Sequence, residues 1–367
     1  MTRVTGVSKV LSVVGARPNF MKLAAVFHAL RERQGVDHLV VHTGQHYDPS
    51  MSGRFFDELD VPPPTTNLGV GSATQAKQTA AVMERLEPVL EREAPDWVLV
   101  YGDVNSTVAA ALVAVKLGIK LAHVEAGLRS RDRTMPEEHN RVVTDHLGDL
   151  LFAPSRDAVA TLLEEGIPAE RIAFVGNVMI DTLIRLRPVA RALGTAKRWG
   201  LPEGGYVLVT LHRPANVDDP GVLVRLCEAL GALASQRPVV FPVHPRTRAR
   251  LEAPNLARCL REVRLLEPVP YLQMLDLTES AEVVLTDSGG VQEETTFLGV
   301  PCLTVRPNTE RPITLTQGTN QLVQATREAI LAAFSNGVRR RASQIERWDG
   351  KAGERIAAAL CEGARFE

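Results

Sequence analysis

The sequence predicts an α/β protein of two Rossmann-like, doubly wound domains facing a central cleft, and three observations carry that prediction. Short β-branched apolar runs alternate with stretches of helical spacing almost throughout the chain. Those runs are continuously apolar, as expected of strands buried on both faces of a parallel sheet. They also fall into two series around a strandless tract, and 367 residues exceed one hydrophobic core of ordinary size.

In the first series the expected strands are Val10–Val14, His38–His42, Trp97–Tyr101, Lys120–Val124, Leu150–Phe152 and Ile172–Val175. Thr74–Arg92, Val108–Lys116 and Asp157–Glu164 have helical spacing and fit between them. The tract "RLRPVARALGTAKRWGLPEGG" is basic, then rich in Gly and Pro, and places the boundary between Gly176 and Gly205. The domains are accordingly read as 1–178 and 179–350. In the second series the strands are Tyr206–Leu211, Val239–Val243, Val263–Leu266, Val283–Thr286 and Cys302–Val305, with a helix at Val222–Ser235. The last segment, Lys351–Phe366, reads as a helix that can pack on either domain.

Composition narrows the class. Hydrophobic residues make up 45% and charged residues 23%, with a formal net charge of −1, so no overall field argues for nucleic acid or an anionic membrane. No apolar run approaches the roughly 20 residues that cross a bilayer. "VLSVVG" near the start reads as a buried strand rather than a signal peptide. Cys227, Cys259, Cys302 and Cys361 are far apart and form no CxxC pair, which suits reduced thiols of a cytoplasmic protein.

Ligands of open α/β sheets bind beyond the carboxyl ends of the strands, and the unusual polar residues stand there in both halves. "GARPNFMK" follows the first strand: Gly15 permits a turn, and Arg17 and Lys22 make the next helix start cationic, either an anion site or an ordinary helix start. In "TGQHYD", Gln45, His46 and Asp48 suit a cleft or a helix cap. "VYGDVNST" ends a strand at Asp103, while Asn105 and Ser106 suffice to cap the next helix. "LAHVEAG" places Glu125 at the neighbouring strand end, and two nearby carboxylates suit paired acid and base roles. "MPEEHNR" opens a helix with Pro136, Glu137 and Glu138; capping explains one acidic residue but not the accumulated cluster. In the second half "LHRPANVDD" presents His212 and Arg213, and "FPVHPRTR" repeats the arrangement with His244. "VLTDSGGVQEETTFLG" is the strongest element. Ser288, Gly289 and Gly290 leave the amides of a helix start uncovered for a phosphate or diphosphate, and an acidic residue behind them suits a ribose diol. "NTERP" adds Arg311. A nucleotide end and a polar, uncharged end together suggest a nucleotide sugar.

These motifs resemble the non-hydrolysing UDP-N-acetylglucosamine 2-epimerases. "GARPNFMK", "GDVNST", "HVEAGLRS", "MPEEHNR", "GNVMIDTL", "LHRPANVDD", "PVHP" and "DSGGVQEE" followed by "GVPCLTVRPNTERP" run in order over most of the chain. The resemblance implies the glycosyltransferase-B type of fold, with the C-terminal helix 351–367 joining the first domain. It implies interconversion of UDP-GlcNAc and UDP-ManNAc without NAD or metal, a homodimer, and a place in polysaccharide assembly. It assigns catalysis to Asp103, Glu125, Glu137 and His212. Substrate contacts fall to Arg17, Lys22, His244, Ser288, Gly289, Gly290 and Arg311, with Glu294 at the ribose and Tyr271, in "EPVPYLQM", walling the uracil pocket. Two departures stand out, Ala215 in "HRPAN" where many relatives carry glutamate, and "RPNFMK" where others read "RPEAIK".

Overall fold

The computed structural model describes residues 9–44, 56–336, 340–342 and 344–363, apart from the side chains of Arg17, Pro245 and Arg246. The chain divides into two compact units, Met1–Thr182 with Glu346–Glu367, and Leu183–Ile345. The first holds β1 (Lys9–Val14), β2 (Asp37–His42), β3 (Thr66–Asn67), β4 (Trp97–Tyr101), β5 (Lys120–Val124), β6 (Leu150–Ala153) and β7 (Ile172–Phe174). The second holds β8 (Val207–Thr210), β9 (Val239–Pro242), β10 (Val263–Leu266), β11 (Val283–Thr286), β12 (Cys302–Val305) and β13 (Asn320–Val323). Their orders are β3-β2-β1-β4-β5-β6-β7 and β10-β9-β8-β11-β12-β13, and the pairings are parallel. Each unit is thus a doubly wound, Rossmann-like α/β sheet, and two such units in one chain are the make-up of the glycosyltransferase-B type.

The strands form where the apolar runs demand it. Val98, Leu99, Val100 and Tyr101 of β4 are fully buried, which requires cover on both faces, and each such side chain contributes about 1.5–3 kcal/mol. Helices between the strands supply that cover. Leu86, Val89 and Leu90 of Gln75–Glu93 and Ala110, Ala111 and Ala114 of Asn105–Lys116 share one apolar cluster with β1 and β4. In the second unit Leu226, Leu230 and Leu233 of Pro220–Ala234 do the same for β8 and β9. No helix among the described residues is long and apolar enough to cross a membrane.

The strand order reverses between β1 and β4 in one sheet and between β8 and β11 in the other. At such a switch point the following loops part to opposite sides and leave a crevice. Gly15, just after β1, shows how closely the loops meet there. A Cβ at this position would lie 2.1 Å from Ser106 Oγ and 2.6 Å from Thr43 Oγ1, so any side chain would push apart the turns after β1, β2 and β4.

Three features differ from the sequence reading. β3 and β13 are additional strands. The tract around 177–205 holds two helices, Val178–Leu193 and Thr195–Arg198, the first continuing through Pro188 at the loss of one backbone hydrogen bond. The last helix runs Ala352–Glu362. It packs on the helix Arg17–Arg31, where a Cβ on Gly353 would stand 2.5 Å from the Ala25 carbonyl oxygen. The Gly353 amide donates to Asp181 Oδ2 at 2.7 Å.

Candidate active site

In the first unit, the turn after β1 is tied down by Asn19. Its Oδ1 accepts from the amides of Gly15 and Ala16, both at 3.2 Å, and its Nδ2 donates to the Tyr101 carbonyl at 2.8 Å. This seats the helix Arg17–Arg31 so that Lys22, one turn in, meets the end of β5. Lys22 Nζ lies 2.7 Å from Glu125 Oε2, and both side chains are almost wholly buried. Glu125 has φ 73°, a left-handed backbone costing on the order of 1–3 kcal/mol for a residue with a Cβ. That strain aims its carboxylate at the lysine. Arg17 begins the helix, but its side chain, like Gln45, His46 and Asp48, lies outside the described residues.

β4 and β5 end in register, Tyr101 opposite Val124, so the turns carrying Asp103 and Glu125 start side by side. Asp103 Oδ2 pairs with the guanidinium of Arg141, which also grips Glu138. Glu138 accepts from the Ser130 amide and hydroxyl, both at 2.9 Å, and from the Arg131 amide at 2.7 Å. Burial works to raise its pKa, but the Ser130 amide and Arg141 outweigh it and hold the carboxyl below its ordinary range. Glu137, beside it in the first turn of Pro136–Leu147, is half-buried. Sequence reading missed Arg141 and the anchoring role of Glu138. A signal exists in hindsight: positions 138, 141 and 145 are polar residues on one helical face, and all are buried. Of the arginines at 129, 131 and 133, Arg129 is buried, while Arg131 and Arg133 are exposed.

In the second unit, Asp287 at the end of β11 organises the loop after β8. Fully buried, it accepts from the Arg213 amide at 2.9 Å, from Asn216 Nδ2 at 3.1 Å, and from His212 through both its amide and its ring. His212 Nδ1 stands 2.9 Å from Asp287 Oδ1 while 42% of the His212 side chain is exposed. A carboxylate on Nδ1 fixes the ring and leaves Nε2 for a ligand. His244 lies 5.8 Å from it, ring to ring. Burial tends to raise the Asp287 pKa, but His212, the Arg213 amide and Asn216 together hold it low.

The Ser288–Gly290 turn opens the helix Gly289–Leu298, with Ser288 at the cap position. A Cβ on Gly289 would lie 2.5 Å from Arg311 Nη1, so glycine is what lets the guanidinium reach the helix start. Arg311 is not a lone cation. Its Nε meets Glu293 at 2.9 Å and its Nη1 meets Glu310 at 3.5 Å. Glu310, which sequence reading passed over, also takes both ends of Arg306 at 2.7 Å and stands 3.6 Å from Arg213. Among the described residues no group of His, Cys, Asp and Glu is placed to hold a metal ion.

Behind the turn, Tyr271 donates its hydroxyl to Glu294 Oε1 at 3.0 Å. Burial, with Glu293 adding to it, raises the Glu294 carboxyl to about 7 despite the Tyr271 hydrogen bond. A carboxyl raised on folding contributes stability that is complete below the unfolded value, near 4.5, and is lost as pH rises through about 7. Glu294→Gln is therefore expected to flatten the pH dependence. Between pH 5 and 8, wild type should lose ~2–3 kcal/mol relative to the variant, read from urea unfolding at both pH values. Equal pH slopes would rule out the raised carboxyl.

A family model described as UDP-N-acetylglucosamine 2-epimerase matches residues 28–361. A UDP-N-acetylglucosamine 2-epimerase of Methanocaldococcus jannaschii is 42% identical over 364 residues, covering 97% of this chain and 99% of that protein. A UDP-2,3-diacetamido-2,3-dideoxy-D-glucuronate 2-epimerase of Pseudomonas aeruginosa is 43% identical over 327 residues, covering 88% and 90%. A crystal structure of the Methanocaldococcus jannaschii UDP-GlcNAc 2-epimerase, in complex with UDP-GlcNAc and UDP, superposes with a TM-score of 0.88 at 41% identity, covering 96% of this chain and 99% of that one.

Proposed function

The chain belongs to the UDP-N-acetylglucosamine 2-epimerase family, and from that premise we propose that it interconverts UDP-N-acetylglucosamine and UDP-N-acetylmannosamine by eliminating and re-adding UDP. The observation that carries this reading lies in the first unit, where two separately supported carboxylates, Asp103 on Arg141 and Glu125 on Lys22, stand just past neighbouring strand ends.

The C2 hydrogen of the sugar is not next to a carbonyl, so its direct removal is difficult. Oxidation at C3 would need NAD, and the sequence offers only "GVGSAT" at 69–74, which follows a proline-rich loop and carries Thr74 where a dinucleotide fingerprint has its third glycine. Breaking the anomeric C–O bond solves the problem. The bonding electrons leave with UDP, positive charge develops at C1, and a carboxylate takes the C2 proton to give 2-acetamidoglucal. In the return step a UDP oxygen adds to C1 and a proton is delivered to the opposite face of C2. Two faces require two proton-transfer groups, for which Asp103, Glu125 and Glu137 are the candidates. His212, with Arg311, Ser288 and the amides of Gly289 and Gly290, supplies fixed donors for the leaving diphosphate. By family resemblance Arg17 and Lys22 in the first unit and His244 in the second are substrate contacts, and Glu294 and Tyr271 take the ribose and uracil.

The test is incubation of the purified protein with UDP-N-acetylglucosamine and no additive, followed by proton NMR. Signals of UDP-N-acetylmannosamine support the reading; free N-acetylmannosamine with UDP identifies the hydrolysing reaction instead. In deuterated water the product is expected to carry deuterium at C2, and unlabelled product would exclude elimination. One observation favours a second reading of the sugar alone. The Pseudomonas aeruginosa relative named for a diacetamido-glucuronate is as similar as the one named for UDP-N-acetylglucosamine. Turnover of that sugar in preference to UDP-N-acetylglucosamine would establish it.

A further inference from the structure

Behind the turns that carry Asp103 and Glu125 lies a charged cluster that no step above uses. Asp145, on the helix Pro136–Leu147, and His123, at the end of β5, are both fully buried. His123 Nδ1 lies 2.6 Å from Asp145 Oδ1, and His123 Nε2 lies 2.7 Å from the Gly102 carbonyl oxygen. The ring thus bridges the Asp145 carboxylate and the Gly102 carbonyl. The other carboxylate oxygen, Asp145 Oδ2, accepts from the Gly127 amide at 3.1 Å and from Arg129 Nη1 at 2.7 Å. Arg129 in turn meets Glu165 through Nε and Nη2, at 2.9 and 2.7 Å. Arg129 lies between the two carboxylates and each polar group meets a partner, which makes so deep a cluster tolerable.

The two backbone groups held here are not arbitrary. Gly102 immediately precedes Asp103. Gly127 follows Glu125 by two residues, and His123 precedes it by two. One carboxylate thus reaches the turns of two acid-base candidates, directly at Gly127 and through His123 at Gly102. The same helix holds Asp103 by Arg141, one turn earlier. We infer that Asp145 is a positioning residue, which fixes the separation of Asp103 and Glu125 by gripping both turns through one buried carboxylate. This rests on the proposed acid-base roles of those two residues. Reactions that depend on such placement lose about 100-fold in rate for a displacement near 1 Å.

Asp145→Asn tests it. The amide keeps one oxygen for His123 but turns an NH2 towards the Gly127 amide and Arg129, donor against donor. The expected result is a fall in kcat of about 100-fold, with KM for UDP-N-acetylglucosamine and calorimetric affinity for UDP each within about threefold. A purely structural role would not separate turnover from binding in this way. Turnover within threefold of wild type, or loss of UDP affinity in step with kcat, would overturn the inference. If Asp145→Asn fails to fold, His123→Gln carries the test. Its amide can still donate to Gly102 but no longer links that carbonyl to Asp145, so kcat should fall about tenfold with UDP affinity kept, and unchanged kcat overturns the inference. A wild-type protein that epimerises no UDP-sugar would instead sink the proposed function, so the two failures are distinct.

Discussion

Asparagine in place of Asp103 is expected to lower epimerisation by about 10²–10⁴-fold, the contribution of a positioned acid or base, while UDP affinity changes by less than about threefold. The substitution is nearly isosteric and keeps an oxygen for Arg141, yet it removes the group that exchanges a proton. Helix capping does not explain Asp103, because the helix Asn105–Lys116 is capped at Val104 without a side-chain hydrogen bond. Asn caps as well as Asp in any case, so a capping role would leave activity intact. Asp103 is 27% exposed, and its buried partner Arg141 keeps Glu138, so no buried charge is left unpaired and the variant should stay folded. Glu125→Gln is a less clean probe. It strands Lys22, whose side chain is 6% exposed, and the unpaired buried charge costs about 3–5 kcal/mol. Initial rates by NMR, with UDP titration by calorimetry, check the Asp103 prediction. Normal turnover removes Asp103 from the proton chemistry, and joint loss of rate and UDP affinity makes its role structural.

Why the strands were readable and some supports were not follows from what each depends on. β4 and β5 are buried by local composition, so continuous apolar runs reveal them. β13 begins with Asn320, whose amide is buried and joined to Thr304, Gln292 and Thr314. A polar residue satisfied by distant partners looks like loop when the sequence is read alone. β3 is two residues long, too short to show any period. The switch-point rule located the loops after β1, β4, β5, β8 and β11, and the structure brings Lys22 to Glu125, His212 to His244, Gly289 to Arg311 and Tyr271 to Glu294. It does so through residues whose roles leave little trace in the sequence. Asp287 reads as one member of a glycine-rich turn, and Asp145 as one acid on an amphipathic helix. What sets them apart is complete burial among cations and amides, a property of three dimensions.

Glu310→Gln is expected to destabilise the unit Leu183–Ile345 by about 3–5 kcal/mol and to lower its thermal midpoint by roughly 10 °C. Glu310 is 1% exposed and faces Arg306 at 2.7 Å, Arg311 at 3.5 Å and Arg213 at 3.6 Å. Glutamine offers one oxygen to these guanidiniums and turns an NH2 towards them, removing the negative charge that all three face. Burial works to raise the Glu310 pKa, but the Arg306 hydrogen bonds and the charges of Arg311, Arg306 and Arg213 hold it far below the ordinary range. A depressed carboxyl contributes stability that is complete above its unfolded value, near 4.5, and is lost on acidification. The gap between wild type and variant should therefore stay constant from pH 5 to 8 and narrow below pH 4. Thermal unfolding at pH 7 and pH 3.5 reads both effects, and a midpoint within 2 °C of wild type at pH 7 would show that the arginines do not need Glu310. The consequence for binding follows from charge. Glu310 and Glu293 hold Arg311 against the Gly289 turn, where its guanidinium suits a diphosphate. Removing Glu310 adds positive charge but frees Arg311 and Arg213 to move apart, so UDP affinity should fall even as the local field becomes more favourable.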